Sequence, residues 1–283
     1  MKTPRTKHTR SPQSRRRFVR AMSLGIATFG MLAPAGAESV DSEILLLVDI
    51  TRPELSQREF ERLMDGYATS FSSSQVLDSI QSGNYGRIAV SMMFFGQASL
   101  QVVGIPWMSI GNASQAQQFA DLARSVTRPM TIFNSDIGAA LNAATSTFGT
   151  ETGGTSNGFE SAVQIIEVAS TDVPSNATAA ATAAASAGAL TSGVDIINAL
   201  ALGNRATAVE AFYASNVIGS TIQGVPATSE TSRFNGNLAG TMNGMFTESV
   251  QTAATISVTA VPEPSQVYGL IPATLLLLRR RRR

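Results

Sequence analysis

Apolar and polar positions along this chain form two alternating kinds of segment. Residues 44–48 and 87–95 are nearly continuous apolar runs, which are typical of strands buried on both faces of a sheet. Residues 55–71 and 113–125 instead place apolar side chains three and four positions apart, which is the spacing of a helix with one buried face. Because strands alternate with helices, we predict an α/β fold: a doubly wound, mostly parallel sheet with helices on both faces.

The same alternation extends over the rest of the central region. Residues 149–158 are rich in glycine and polar residues, so they are predicted to form a solvated loop rather than a nucleotide cradle. Gly188 is expected to end a helix. Further strands are predicted over 99–103, 162–169, 195–202 and 217–223, and further helices over 137–148, 176–187, 207–215 and 229–253.

The first 37 residues have the order of a secretory signal peptide. Residues 1–20 contain eight lysines or arginines and no acid, residues 21–32 are mostly apolar, and Ala35-Gly36-Ala37 offers the small residues at which signal peptidase cuts. Arg15 and Arg16 lie in a segment, Ser-Arg-Arg-Arg-Phe-Val-Arg, that resembles the signal of the twin-arginine translocase. That resemblance implies a passenger that folds before export. An arginine-rich signal for the Sec translocase is the alternative.

Residues 261–283 form a second distinct segment at the carboxyl end. Pro262, Glu263 and Pro264 are followed by twelve largely apolar residues and then by five arginines. Twelve helical residues span about 18 Å, which is short of a hydrocarbon core of about 30 Å, so a lasting transmembrane helix is not expected. The segment resembles the PEP-CTERM sorting tail. That resemblance implies a transient inner-membrane anchor with cytoplasmic arginines, recognition by an exosortase, and delivery to the cell surface or extracellular matrix of a Gram-negative bacterium. A basic amphipathic tail lying on anionic lipid is the alternative.

Between these two signals, the composition restricts the chemistry of the domain predicted over 38–260. That region has 8 arginines and 19 acidic residues, so its net charge is about −11, which disfavours nucleic acid and favours cations. The chain has no cysteine, and its only histidine and both lysines lie in the signal peptide. Thiol, imidazole and Schiff-base catalysis and Cys/His zinc sites are therefore excluded from the domain. Carboxylates, hydroxyls and hard cations remain.

Polar residues follow two of the predicted strands and precede one of the predicted helices. Asp49 and Thr51 come directly after the first strand, Ser135 lies just before the helix at 137, and Asp172 follows the strand at 162–169. Ligands of doubly wound sheets gather at the carboxyl ends of the strands. We therefore expect these residues to meet at one edge of the sheet.

These residues and several short phrases resemble a von Willebrand factor A domain, and most closely an uncharacterised bacterial family of such domains. The resemblance implies a degenerate metal-ion-dependent adhesion site in which Asp49, Thr51, Ser135 and Asp172 hold Mg²⁺, or Mn²⁺ or Ca²⁺. The phrases are Leu-Leu-Leu-Val-Asp49, Gly66-Tyr67-Ala68, Gly86-Arg87-Ile88-Ala89-Val90, Pro106-Trp107, Ile137-Gly138-x-Ala140 and Ile197-Asn198-Ala199-Leu200-Ala201.

The chain departs from that family's pattern at Pro53, which stands where a second serine is expected. Two carboxylates about 4 Å apart repel each other by about 4 kcal/mol at an effective dielectric constant near 20, so Asp49 and Asp172 need a cation or a proton between them. A divalent ion with water in place of the missing hydroxyl would satisfy this need. In the alternative, Arg52 fills the same space and closes a vestigial site with an ion pair.

We therefore predict an exported, non-enzymatic binding protein of the cell surface or biofilm matrix, with an extracellular protein or polysaccharide as ligand. A structural matrix protein without a ligand is the alternative, followed by a hydrolase with paired carboxylates. Glu167, inside a predicted strand, is expected to lie at a sheet edge or to be hydrogen-bonded rather than catalytic.

Overall fold

The computed structural model describes residues 37–260, apart from 53, 130–132 and 173–175. The predicted signal peptide up to residue 36, the predicted sorting tail and Pro53 lie outside the described residues.

Nine strands are found in the described part of the chain, and seven of them form one sheet. They are β1 (Glu38–Val40), β2 (Glu43–Asp49), β3 (Ile88–Phe95), β4 (Gln101–Ile110), β5 (Phe159–Ser161), β6 (Gln164–Ser170), β7 (Ile196–Leu202), β8 (Gly219–Ser220) and β9 (Ser229–Ser232). The order across the main sheet is β4-β3-β2-β6-β7-β8, and β9 also pairs with β7. All pairs are parallel except β3 with β4 and β7 with β8, which confirms the mostly parallel sheet.

Helices lie on both faces of this sheet, as predicted. Apolar side chains of β2 alternate between the two faces: Ile44, Leu46 and Val48 join one buried cluster, and Leu45 and Leu47 join the other. Full burial of such a side chain stabilises the fold by about 1.5–3 kcal/mol. The first cluster is covered by α1 (Gln57–Phe71), α2 (Ser74–Gln81), α3 (Ala113–Ser125) and α7 (Leu238–Ala260), and the second by α4 (Ile137–Thr145), α5 (Asn176–Thr191) and α6 (Ala206–Asn216).

Asp41 ties the amino-terminal edge of the sheet to the end of α7. Its side chain is buried just before β2, and Oδ1 accepts hydrogen bonds from Tyr85 N (2.9 Å) and Ser257 Oγ (2.7 Å). Oδ2 accepts from Arg87 N at 3.3 Å. The last turns of α7 therefore lie beside the start of β2, at the edge opposite the end of that strand.

Several predicted elements are wrong in extent. The predicted helix over 229–253 begins instead as β9, which pairs with β7, and the helix starts at Leu238. Gly188 does not end α5, because the helix continues to Thr191. Gly193 adopts the positive φ of +116° expected of a residue that ends a helix. In place of the strand predicted over 217–223, only Gly219–Ser220 pairs with β7.

Candidate functional site at the carboxyl edge of the sheet

Asp49, the last residue of β2, is the centre of a buried cluster of hydroxyl groups. Its side chain is 2% exposed, and each carboxylate oxygen accepts two hydrogen bonds. Oδ1 accepts from Thr51 N at 2.9 Å and Thr51 Oγ1 at 2.6 Å. Oδ2 accepts from Ser135 Oγ at 2.8 Å and Ser170 Oγ at 2.7 Å. The structure thus brings together three of the four residues predicted for the site and adds Ser170.

Sequence reasoning did not assign Ser170 to the site. It ends β6, which pairs with β2 in a register that places Val48 beside Ala169. The next residues along the two parallel strands are Asp49 and Ser170, so their side chains meet at the edge. The signal lies in the register between the two strands, which a linear motif does not contain. A hydroxyl from the neighbouring strand thus reaches Asp49 at a site where the chain has Pro53 in place of a serine.

Ser135 is positioned by the start of α4. The neighbouring Asp136 is the N-cap residue, and its Oδ1 accepts a hydrogen bond from Ala139 N at 2.9 Å. The backbone N–H of Asp136 donates to Gly96 O at 2.8 Å, just beyond the end of β3. These two bonds fix the loop before α4 against the end of the sheet, and Ser135 therefore faces Asp49.

Asp172 joins the cluster through its backbone. Its N–H donates to Ser170 Oγ at 3.0 Å, two residues back along the chain. Its carboxylate Oδ1 accepts from a guanidinium nitrogen of Arg205 at 3.4 Å. Arg205 belongs to a short 3₁₀ turn, Gly203–Arg205, that follows β7. Sequence reasoning did not identify this arginine, because its approach to Asp172 depends on the order of β6 and β7 in the sheet.

Arg128 supports the loop that follows Asp49. The buried guanidinium donates to three backbone carbonyl oxygens, those of Ile50, Thr51 and Leu55. It also lies 5.9 Å from the centre of the Phe60 ring. A planar guanidinium with several donors suits this task, and the result is a loop held in one conformation around Thr51.

Arg52 forms no ion pair with Asp49 among the described residues, and its role in closing the site stays a prediction. The ion pairs found in this part of the chain are Arg87 with Glu38, Arg124 with Asp65, and Arg205 with Asp172. The Nε atom of Arg52 is buried and makes no hydrogen bond. Asp49 already accepts four hydrogen bonds from hydroxyl and amide donors, none of which comes from Arg52.

Burial governs the electrostatics of the cluster. It raises the pKa of Asp49 above the ordinary value for an aspartate, and the hydrogen bonds from Thr51, Ser170 and Ser135 oppose that rise. Tyr213 lies close enough for the charge of Asp49 to add to the rise in the tyrosine pKa that burial causes. The hydroxyl of Thr171, the residue that follows Ser170, is buried without a hydrogen-bond partner among the described residues. A cation would be favoured here, since it would offset the buried negative charge.

The residues at this edge fit a hard divalent cation. They offer only oxygen: carboxylates from Asp49 and Asp172, and hydroxyls from Thr51, Ser135 and Ser170. In the chain as described, no three His, Cys, Asp or Glu side chains lie close enough together to hold a metal. A cation at this site would therefore depend on the hydroxyls and on water. The role of these residues as metal ligands stays a prediction.

Glu167 lies elsewhere, within β6, and is hydrogen-bonded as predicted. Its Oε1 accepts from Asn198 Nδ2 at 3.1 Å and from Ser249 Oγ at 2.6 Å, while Oε2 is buried without a partner. Burial raises the pKa of Glu167 to about 7. Its neighbours come from β7 and α7, so the group links the sheet to that helix.

The sheet order and the helices on both faces define a doubly wound, mostly parallel α/β domain. The family described as "Protein of unknown function (DUF1194)" matches residues 39–240, and the chain belongs to that family.

Solved structures that the chain resembles come from several organisms. The structure of a mutant PilB minor pilin from Streptococcus sanguinis has a TM-score of 0.50 and 8% identity, over 82% of this chain and 65% of that one. The vWF domain of the type V pili tip protein Mfa5 from Porphyromonas gingivalis has a TM-score of 0.49 and 11% identity, over 77% and 97%. Proximal thread matrix protein 1 from the mussel byssus has a TM-score of 0.46 and 13% identity, over 76% of this chain and less than half, 46%, of that one.

No curated protein matches the chain. Of the helices in the described residues, none has the length and apolar character needed to cross a bilayer.

Proposed function

We propose that this protein is an exported, non-enzymatic binding protein of the cell surface or extracellular matrix. One observation carries the proposal: a buried carboxylate, Asp49, accepts hydrogen bonds from the hydroxyl groups of three separate segments of the chain at one edge of the sheet. The likeness to pilus and matrix proteins is a likeness of fold and supports the extracellular setting only to that extent. The predicted signal peptide and sorting tail supply the route, through a twin-arginine or Sec translocase and then an exosortase.

The site would hold Mg²⁺, or Mn²⁺ or Ca²⁺, through Asp49, Thr51, Ser135 and Asp172, directly or through water, with Ser170 as a further hydroxyl. When bound, the cation supplies a positive centre that an acidic group of an extracellular protein or polysaccharide can complete. The chain's own residues prepare that centre. Ser135 and Ser170 orient Oδ2 of Asp49, Thr51 orients Oδ1, and Arg128 holds the loop that carries Thr51.

A structural matrix protein without a ligand is the second candidate. The observation that favours it is that the hydrogen bonds of Asp49 are complete within the protein and that Arg205 already pairs with Asp172. In that case the polar cluster at this edge binds no ligand, and neither Asp49 nor Asp172 takes part in adhesion.

Isothermal titration calorimetry of the purified protein with Mg²⁺, Mn²⁺ and Ca²⁺ distinguishes these two candidates. We expect the wild type to bind one cation and Asp49→Asn, which keeps the side-chain shape but removes the charge, to lose binding. Asp65→Asn is the matched control, because it removes the same charge from an exposed ion pair with Arg124. The binding proposal fails if the wild type gives no heat, or if Asp49→Asn binds as the wild type does.

A further inference from the structure

Arg205 is the arginine that pairs with a carboxylate at the carboxyl edge of the sheet. Its guanidinium lies 3.4 Å from Asp172 Oδ1, and its side chain is 56% exposed against 20% for Asp172. The other two ion pairs of the described residues, Arg87 with Glu38 and Arg124 with Asp65, involve none of the site residues. The positively charged guanidinium of Arg205 thus already pairs with Asp172, one of the two carboxylates of the candidate cation site.

We propose that Arg205 is an internal competitor of the cation at this site. This inference rests on the proposed function. In the free protein, Arg205 neutralises Asp172; when a divalent cation binds, the guanidinium moves out to solvent and Asp172 turns to the cation. The affinity of the site is therefore set partly by the ion pair that the cation must break.

Electrostatic repulsion explains why Asp172 cannot contact the Arg205 guanidinium and a divalent cation at the same time. A guanidinium and a divalent cation repel each other, and at hydrogen-bond distance from one carboxylate the two would lie only a few ångströms apart. The ion pair is partly exposed, and exposed pairs contribute little to stability, so separating it costs little. More than half of the Arg205 side chain already faces water, so its displacement uncovers little apolar surface.

The backbone keeps Arg205 beside the site. Gly203 adopts a φ of +82°, a backbone conformation that favours glycine. This turn directly follows β7, which is parallel to β6, and so it brings Arg205 to the same edge as Asp172. The turn fixes the backbone of Arg205, while its exposed side chain can take another rotamer.

The other two arginines near Asp49 do not fit this role. Arg128 is buried and donates to the carbonyl oxygens of Ile50, Thr51 and Leu55, so moving it would remove a charged donor from three buried acceptors. Arg52 is not part of any ion pair of the described residues. Only Arg205, of these three, is both paired with a candidate ligand and exposed.

Calorimetric titration of the full-length protein with Mg²⁺ tests the proposal with Arg205→Gln. Since an exposed ion pair contributes roughly 0.2–1 kcal/mol, we expect Arg205→Gln to bind Mg²⁺ about 1.4- to fivefold more tightly than the wild type. Arg87→Gln is the control, because it removes one positive charge from an exposed pair away from the site. Its affinity should equal that of the wild type. Thermal unfolding of each variant checks that the fold is intact.

The outcomes separate this inference from the proposed function. If the wild type binds Mg²⁺ and Arg205→Gln binds it equally or more weakly, the competitor role is overturned while the cation site stands. If only Arg205→Gln binds, the competitor role is supported and the wild-type site is closed by its own arginine. If neither protein binds, both proposals fall. Equal gains in Arg205→Gln and Arg87→Gln would mean a general charge effect and would also overturn the competitor role.

Discussion

Ser170 donates a 2.7 Å hydrogen bond to Asp49, although 121 residues separate them along the chain. The bond joins the ends of two adjacent parallel strands, β6 and β2, and both side chains are buried. It makes the candidate site a product of strand register as much as of local sequence.

Replacing Ser170 by alanine should weaken both the fold and the site. The change removes one of the two donors to Asp49 Oδ2 and leaves a buried carboxylate oxygen less satisfied, which costs about 1–3 kcal/mol of unfolding free energy. Urea unfolding measures that loss, and cation titration measures the accompanying loss of affinity. Ser125→Ala, at an exposed serine at the end of α3, should change neither quantity. A Ser170→Ala protein that binds cations as the wild type does would remove Ser170 from the site.

Replacing Arg128 by glutamine should destabilise the protein strongly. Three buried carbonyl oxygens, of Ile50, Thr51 and Leu55, lose a charged donor, and we expect a loss of about 2–4 kcal/mol. The matched change Arg124→Gln breaks an exposed ion pair with Asp65 and should cost less than about 1 kcal/mol. Chemical denaturation of the two variants side by side gives the comparison. Similar losses in both would show that Arg128 does not hold the loop.

Stability should fall as the pH rises from about 5 to about 8. Glu43 is buried at the start of β2, where its carboxyl group accepts from Asn157 Nδ2 and, at 3.0 Å, from Ser161 Oγ. Burial, together with the nearby charge of Glu151, raises its pKa from 4.5 to about 8. Between these values the folded protein holds a proton that the unfolded chain has released, so the stabilisation present below pH 4.5 is lost as the pH approaches 8.

Glu43→Gln tests the source of that pH dependence. The amide resembles the protonated carboxyl group and does not titrate, so the variant should show a flatter dependence and should gain stability relative to the wild type at pH 8. Glu167, whose pKa burial raises to about 7, should keep a smaller part of the dependence. Unfolding free energies at pH 5, 6.5 and 8 decide the matter. An unchanged slope in Glu43→Gln would show that Glu43 is not the main group.

Export should depend on the paired arginines if the twin-arginine route is used. Changing both Arg15 and Arg16 to lysine is then expected to leave the precursor in the cytoplasm, which cell fractionation and immunoblotting would detect. Changing Arg5 and Arg10 to lysine is the control, and export of that protein should continue. Normal export of the Arg15 and Arg16 variant would point to the Sec translocase.

Surface delivery should depend on Pro262, Glu263 and Pro264. Replacing all three by alanine is expected to leave the protein in the inner-membrane fraction, because the exosortase no longer recognises it. Replacing the flanking Val261 and Ser265 by alanine should leave delivery unchanged. If the triple variant reaches the cell surface as the wild type does, the likeness to a sorting tail has no functional meaning.

Local patterns predicted the buried centre of the fold well. The apolar run of β2 and the amphipathic spacing of α3 each correspond to one element, because burial of these side chains dominates their energetics. Residues 74–81 form α2, which was not predicted, because the helix is short and has only three apolar positions, Val76, Leu77 and Ile80. Residues 229–232 have the composition of a loop or helix start, and only pairing with β7 makes them a strand.

Local sequence patterns likewise predicted some residues of the candidate site and not others. Asp49 and Thr51 are neighbours in sequence, and Ser135 is marked by the helix that follows it, so local features were enough to find all three. Ser170 and Arg205 enter through the order and register of strands, which depend on the packing of the whole sheet. The sequence therefore predicted which chemistry lies at this edge but not how its charge is balanced.

The hydrogen bond from Ser257 to Asp41 has a consequence for how the domain would face its surroundings. It brings the last turns of α7 to the same pole as Glu38, the first residue of β1, while Asp49 lies at the other pole. A tether attached at either end of the domain would therefore hold it at the pole opposite Asp49. The carboxyl edge of the sheet around Asp49, which is lined with oxygen atoms, would then face away from the tether and toward the surroundings of the cell.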